Sequence, residues 1–354
     1  MTMRGVVFLG DNKIDILDFP SPEPGPKDVV LRIDASGICG SDLHTFKRPG
    51  VPGAYQSVNP AETKAIIAGH EPVGTVVERG SEVGDDVAPI GMRAICFHYS
   101  GCGSCIYCKM QRPQLCATML GYGGNAHGGH AEYMVVPAET LVPLPEDLSA
   151  SVGACLACGT GTAYGALKRL PAIDGQTILV VGLGPVGVSA VMYAAALGAR
   201  VIASDLDAAR RASALEYGAE TVLDPTEVDV VAAVRDLTDG YGADSAVETS
   251  GSTPGRNAAL MSTRLEGSAV FAGLGGGTWE LPFDRDVVLA PRAVIGSRTF
   301  SKTELIECAQ VASDRKLPLQ SMVTAEYPIE DAQRAYDEFA AGAVGKYVLV
   351  GASA

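Results

Sequence analysis

Four cysteines, Cys102, Cys105, Cys108 and Cys116, follow the pattern C-x2-C-x2-C-x7-C. That spacing lets four thiolates converge on one tetrahedral ion from a compact loop. Four thiolates leave no open coordination position, so a zinc held here would brace the lobe at about 96–120 and take no part in chemistry. A bacterial iron–sulfur signature begins the same way, but its fourth cysteine follows after three residues and precedes proline. Here seven residues intervene and Ala117 follows. Cysteines acting only as small buried hydrophobes would not explain this clustering in a polar, Gly- and Lys-containing loop.

A second chemistry-bearing run, Gly182-Leu183-Gly184-Pro185-Val186-Gly187, directly follows an apolar strand at 177–181 and opens a helix reaching 197. This is the context that a Gly-x-Gly-x-x-Gly dinucleotide turn requires. Gly182 serves the tight turn, Gly184 the close approach of a pyrophosphate and Gly187 the packing of helix on strand. The helix N-terminus, with Pro185 and Val186 at its start, favours the anion. Asp205 ends the next strand, 18 residues beyond Gly187, where a carboxylate binds the adenosine ribose hydroxyls and repels a 2′-phosphate. NAD is therefore expected over NADP. Arg210 and Arg211 lie near enough to attract a phosphate, but the carboxylate should outweigh them; Arg210 is expected on the ribose or on a solvated helix face. Ser250, and Gly273 with Leu274, end two later strands at the sheet edge where a nicotinamide would lie.

Two further segments, 37–44 (GICGSDLH) and 69–74 (GHEPVG), combine metal-competent side chains with glycines that turn the backbone tightly. Alone, neither decides anything: a histidine beside glycine is more often a hydrogen-bonded loop residue, and a lone cysteine is usually core packing. Together with the four-cysteine lobe and the run Cys158-Gly159-x-x-Thr162-Ala163-Tyr164-Gly165, they stand in the motif order of the zinc alcohol/polyol dehydrogenases. The chain resembles that family, within the medium-chain dehydrogenase/reductase superfamily, over essentially its whole length.

The resemblance implies a catalytic zinc held by Cys39, His70 and Cys158, with a fourth position open for water or the substrate oxygen, and hence two zinc ions per chain. Cys155 is set aside as core packing because Cys158 carries the family's following glycine. Glu71 matches a position that approaches the zinc in some forms, the other reading being a buried carboxylate behind the ligands. Asp42 is expected to accept a hydrogen bond from the non-ligating nitrogen of His70. Ser41 would take the alcohol proton and pass it through the cofactor ribose to His44, a side-chain type that exchanges protons near neutral pH. His98, His127, His130, Cys96 and Cys308 match no ligand position and are read as structural or surface residues. The implied activity is an NAD-dependent oxidation of a secondary alcohol or polyol by a cytoplasmic homotetramer, a dimer being the alternative. A zinc-free NADPH quinone or enoyl reductase of the same superfamily would have no need of Cys39, His70 or the lobe. A non-enzymatic zinc ribbon would explain neither the glycine turn nor Asp205.

The elements that position these residues fall into two patterns. Up to about residue 155 the chain reads as short strands, such as 29–35, 74–78 and 131–136, punctuated by Gly and Pro without long helical periodicity. Alternate prolines at 20, 22, 24 and 26 deny a ladder its donors and mark an extended connection. After 159, strands at 177–181, 200–204, 221–223, 245–249, 269–272 and 293–297 alternate with helical segments, the pattern of a parallel sheet covered on both faces. The fold class is thus α/β: a GroES-like, mostly-β catalytic domain over 1–158 and 294–354, and a doubly wound Rossmann cofactor domain over 159–293. The return of the tail, with helices at 303–312 and 329–341 and a strand at 346–350, rests on the resemblance. Segment 45–65, rich in Pro, Gly and polar residues, is expected to shape the substrate pocket.

Composition excludes several functions. Forty-one acidic against 27 basic residues give a net charge of −14, which repels phosphate backbones and offers no counterion release, so nucleic acid is not an expected partner. The most apolar stretch, 186–203, contains two glycines and an arginine and changes period midway, reading as helix then strand and not as a membrane span. The opening residues lack a signal-peptide pattern, and nine cysteines in a chain of 354 residues then favour thiolate ligands over disulfides.

Overall fold

The structure is a computed structural model describing residues 2–49, 65–275, 277–342 and 344–351. Most of segment 45–65 lies outside the described residues. The chain forms two compact units: Met1–Cys158 with Ser301–Asp314 and Leu319–Ala354, and Gly159–Phe300 with Arg315–Pro318. The sequence boundary at 294 is corrected here. Strand Ala293–Gly296 pairs in parallel with strand Thr263–Phe271, from Ser268↔Ala293 to Phe271↔Gly296, and this pairing keeps it in the second unit.

In the first unit the chain opens as an antiparallel hairpin, Thr2–Gly10 on Lys13–Pro20. Its tip, Asp11 and Asn12, has φ of 51° and 59°, the left-handed region that these short polar side chains tolerate. The central sheet runs in the order Val323–Pro328, Lys346–Val350, Asp28–Gly37, Glu71–Arg79, Arg93–Cys96, Leu141–Pro143, with Tyr133–Pro137 also pairing on Asp28–Gly37. Gly37 faces Val348 on one neighbour and Glu71 on the other, so the end of strand Asp28–Gly37 is enclosed by a segment from the middle of the chain and one from its C-terminal end. Helix Ala332–Ala340 closes the core beside this point, where Tyr336, Phe46 and Ile38 are fully buried with Val6 and Phe8. Each such large apolar side chain contributes roughly 1.5–3 kcal/mol by leaving water.

The second unit is a six-stranded parallel sheet in the order Thr221–Leu223, Arg200–Ser204, Thr177–Val181, Ala243–Glu248, Thr263–Phe271, Ala293–Gly296. The first three strands run outward in one direction from Thr177–Val181 and the next three in the other. The order therefore reverses between Thr177–Val181 and Ala243–Glu248, which opens a crevice at their carboxyl ends. Crossover helices start at side-chain caps: Asp207 accepts from Arg210 N, Asp229 from Val231 N and Ala232 N, and Ser252 from Gly255 N. Helix Pro185–Ala196 is buried along most of its length, as its nearly all-apolar sequence requires. Among the described residues no helix is long and apolar enough to cross a membrane.

Candidate metal and cofactor sites

Three segments meet at the enclosed end of strand Asp28–Gly37. Cys39 follows that strand, His70 precedes strand Glu71–Arg79, and Cys158 lies in a π-helical turn, Leu156–Thr160, between helices Ala150–Cys155 and Gly161–Leu167. The widened turn breaks the helical ladder at the cysteine, a distortion that recurs at functional positions. One ligand-type atom from each of Cys39, His70, Glu71 and Cys158 lies within 4.8 Å of the others. The Cys39 and Cys158 sulfurs are 3.9 Å apart. Two sulfurs each about 2.3 Å from a tetrahedral zinc stand about 3.8 Å apart, so the donor set fits that ion.

The surroundings orient these donors. His70 Nδ1 stands 3.0 Å from Asp42 Oδ1, which turns the other ring nitrogen towards the sulfurs, and Asp42 Oδ2 accepts from Cys39 N at 2.9 Å. Burial disfavours the imidazolium, but Asp42 and Cys158 outweigh it and raise the His70 pKa well above the usual value. Contact with Cys158 holds the Cys39 thiol well below its ordinary range, against burial and with help from His70. Contact with Cys39 and burial push the Cys158 thiol up.

Glu71 is fully buried, and Lys346 donates to both its oxygens at 2.7 and 2.6 Å and to Ile38 O at 3.2 Å. Gly37 is glycine for a visible reason: a Cβ there would collide with the Glu71 carboxylate. Burial works against the Lys346 charge, but Glu71 and the neighbouring cysteines raise its pKa. Glu71 is thus both a member of the four-residue donor cluster and tied through both oxygens to a lysine that the motif reading did not include.

Ser41 is the N-cap residue of the short helix Asp42–Phe46 and His44 lies within it, and both are exposed. His98 is structural and not a surface residue: its ring lies edge-on to His70 at a centroid distance of 5.4 Å, and its Nδ1 is 2.9 Å from Ala157 O. Cys96, Cys155 and Cys308 are buried, and burial pushes the Cys155 thiol up to about 12, so it is a poor competitor for an ion.

In the lobe, Cys102, Cys105, Cys108 and Cys116 bring their sulfurs within 4.8 Å of one another. Backbone N–H groups point at three of them: Cys105 N at Cys102 Sγ (3.3 Å), Cys108 N at Cys105 Sγ (3.5 Å) and Cys102 N at Cys116 Sγ (3.5 Å). Such donors stabilise thiolates, the form that binds metal.

In the second unit, Gly182 has φ +86° and Gly187 packs so closely that a Cβ would strike the Gly182 carbonyl oxygen. A Cβ on Gly184 would meet nothing within 4 Å among the described residues. That free face lies at the start of helix Pro185–Ala196, whose N-cap carries no side-chain hydrogen bond. The result is an uncapped helix N-terminus with open space before it, which fits a pyrophosphate. Asp205 is held at the strand end by Leu183 N (2.6 Å) and Asp207 N (2.8 Å). Arg211 is committed elsewhere, to Asp224 at 2.6 Å and to the Asp205 and Leu206 carbonyls. Arg210 is half-buried on the helix Ala208–Glu216. Ser250 donates to Glu248 Oε1 at 2.5 Å, Gly273 packs on Gly251 N, and Leu274 is 95% exposed.

Comparison with known proteins agrees with both halves. Residues 25–146 match the alcohol dehydrogenase GroES-like domain and residues 185–314 match the zinc-binding dehydrogenase domain. An uncharacterized zinc-type alcohol dehydrogenase-like protein of Escherichia coli is 35% identical over 98% of both chains. A sorbitol dehydrogenase of Halalkalibacterium halodurans is 30% identical over 96% of both. Among solved structures, the alcohol dehydrogenase TADH from Thermus sp. ATN1 superposes with a TM-score of 0.86 at 29% identity, covering 99% of this chain and 100% of that one. The chain belongs to the zinc-dependent medium-chain dehydrogenase/reductase family, with a GroES-like domain and a Rossmann-like parallel sheet.

Proposed function

We propose that this chain is an NAD-dependent dehydrogenase that oxidises a secondary alcohol or polyol at a zinc held by Cys39, His70 and Cys158, with a second zinc in the four-cysteine lobe. The observation that carries the reading is the three-donor cluster whose histidine is oriented by Asp42, at 3.0 Å. When bound, zinc supplies Lewis-acid polarisation of the substrate oxygen and NAD accepts the hydride.

The chain's own groups do the rest. Asp42 keeps the proton on His70 Nδ1, so the other nitrogen presents its lone pair. Lys346 pairs with the Glu71 carboxylate and keeps it from being a free anion beside the ligands. Ser41 Oγ accepts the substrate proton as it releases its own hydroxyl proton towards His44, whose exposed ring returns it to solvent. In the second unit the glycine turn receives the pyrophosphate and Asp205 the adenosine ribose. The engagement of Arg211 with Asp224 supports NAD over NADP, because that guanidinium is not free for a 2′-phosphate. The sorbitol dehydrogenase relative supports a polyol class of substrate.

The test is elemental analysis of metal per chain, paired with titration of NADH and NADPH by nicotinamide fluorescence and a screen of secondary alcohols and polyols. Two zinc ions, tighter NADH binding and turnover of a polyol are expected. One zinc per chain sinks the catalytic site, and tighter NADPH binding points to the reductase reading.

A further inference from the structure

Behind Asp42 runs a chain of buried polar side chains that the proposed chemistry does not use. Tyr336, on helix Ala332–Ala340, donates its hydroxyl proton to Asp42 Oδ2 at 3.3 Å. The same hydroxyl lies 2.8 Å from His130 Nε2, and His130 Nδ1 lies 2.8 Å from Ser36 Oγ. Asp42 is 7% exposed, His130 and Ser36 are 1% exposed and Tyr336 is fully buried.

Proton counting fixes the direction of every bond. A carboxylate only accepts and a phenol has one proton. The tyrosine proton therefore goes to Asp42, so His130 Nε2 carries a hydrogen and donates to the phenol oxygen. His130 Nδ1 then accepts from the Ser36 hydroxyl. A neutral His130 agrees with its burial, which pushes its pKa down to about 4. Asp42 thus receives three donors, from Cys39 N, His70 Nδ1 and Tyr336. Rotation of its carboxylate would break all three.

His130 also supports His70 from a second side. Gly69, immediately before His70, has φ +87°, and a Cβ there would strike the His130 ring. The 128–130 backbone is tied to 67–69 by Gly128 N→Ile67 O (2.8 Å), Gly129 N→Gly69 O (2.8 Å) and His130 N→Ala68 O (2.9 Å).

We propose that Tyr336 and His130 are positioning residues of the metal site, fixing the Asp42 carboxylate and through it the ring of His70. The proposal rests on the zinc reading of Cys39, His70 and Cys158. Tyr336→Phe removes the donor but keeps the ring that packs on Phe8 and Phe46, at centroid distances of 5.0 and 5.3 Å. Outer partners of metal ligands typically contribute about 10–100-fold in metal affinity.

The experiment is competition of the zinc-loaded full chain with a chromogenic chelator, the lobe ion being identified by its loss in Cys105→Ser. Tyr336→Phe is expected to weaken the three-ligand ion about tenfold while the lobe ion is unchanged. In Asp42→Asn, adding Tyr336→Phe should weaken it less than about twofold further, because the tyrosine acts through the carboxylate. Wild-type affinity in Tyr336→Phe, equal weakening of both ions, or full additivity with Asp42→Asn overturns the proposal alone. A wild-type chain holding only the lobe ion overturns the zinc reading as well.

Discussion

Replacing Lys346 by methionine tests the pair sealed beside the proposed metal ligands. Lys346 is 2% exposed and Glu71 fully buried, and the ammonium touches both carboxylate oxygens at 2.6 and 2.7 Å. At an effective dielectric of about 20, charges this close attract by roughly 6 kcal/mol. Desolvation of each ion costs several kcal/mol, so the pair nets little, whereas removing one partner leaves an uncompensated buried charge and costs about 3–5 kcal/mol. Lys346→Met should lose that much, while Glu71→Gln/Lys346→Met, which carries no charge, should stay within about 1–2 kcal/mol of the wild type. Urea denaturation followed by circular dichroism is the assay, because the single tryptophan, Trp279, lies in the second unit. It is run with and without chelator. A zinc ion at the neighbouring ligands would offer the orphaned carboxylate a new partner, so the loss should be larger with chelator. A single variant within about 1 kcal/mol of wild type in chelator, or a double variant as unstable as the single, would refute this account of the pair.

Other consequences are open to measurement. Cys39→Ala should leave one zinc per chain and abolish alcohol turnover while NADH still binds; retention of two ions refutes the ligand set. Gly187→Ala forces a methyl against the Gly182 carbonyl and should weaken NADH about 5- to 150-fold by fluorescence titration, since such overpacking costs about 1–3 kcal/mol; unchanged affinity would refute the close packing at this turn. His130 is held neutral with its pKa lowered from 6.5 to about 4, so the unfolded chain binds the extra proton first. Its contribution is intact above pH 6.5, is lost as pH falls towards 4, and totals about 3 kcal/mol. The denaturation midpoint of His130→Gln should therefore vary less with pH across that window than that of the wild type, and parallel curves would show that His130 is not buried neutral.

How much was legible in the sequence depended on how far apart the partners are along the chain. The lobe and the glycine turn are local: four sulfurs and their N–H donors lie within fifteen residues, and the φ +86° of Gly182 and the contact of Gly187 on its carbonyl belong to one six-residue turn. Backbone geometry over such spans is set by residue type, so spacing alone foretells which groups come together. The parallel sheet was equally readable, because its buried strands are apolar runs: 177–181, 200–204 and 221–223 are where the sequence puts them. The lysine partner of Glu71 was not readable. Strand Lys346–Val350 pairs with Asp28–Gly37 and delivers an ammonium from 275 residues away. Tyr336 likewise reaches Asp42 across 294 residues and His130 across 206. Lys346 reads locally as the polar start of a closing strand, and Tyr336 as one apolar position of an amphipathic helix. What gives them their places is sheet register and helix packing, which bury a charge or a hydroxyl only where a distant chain segment supplies its partner.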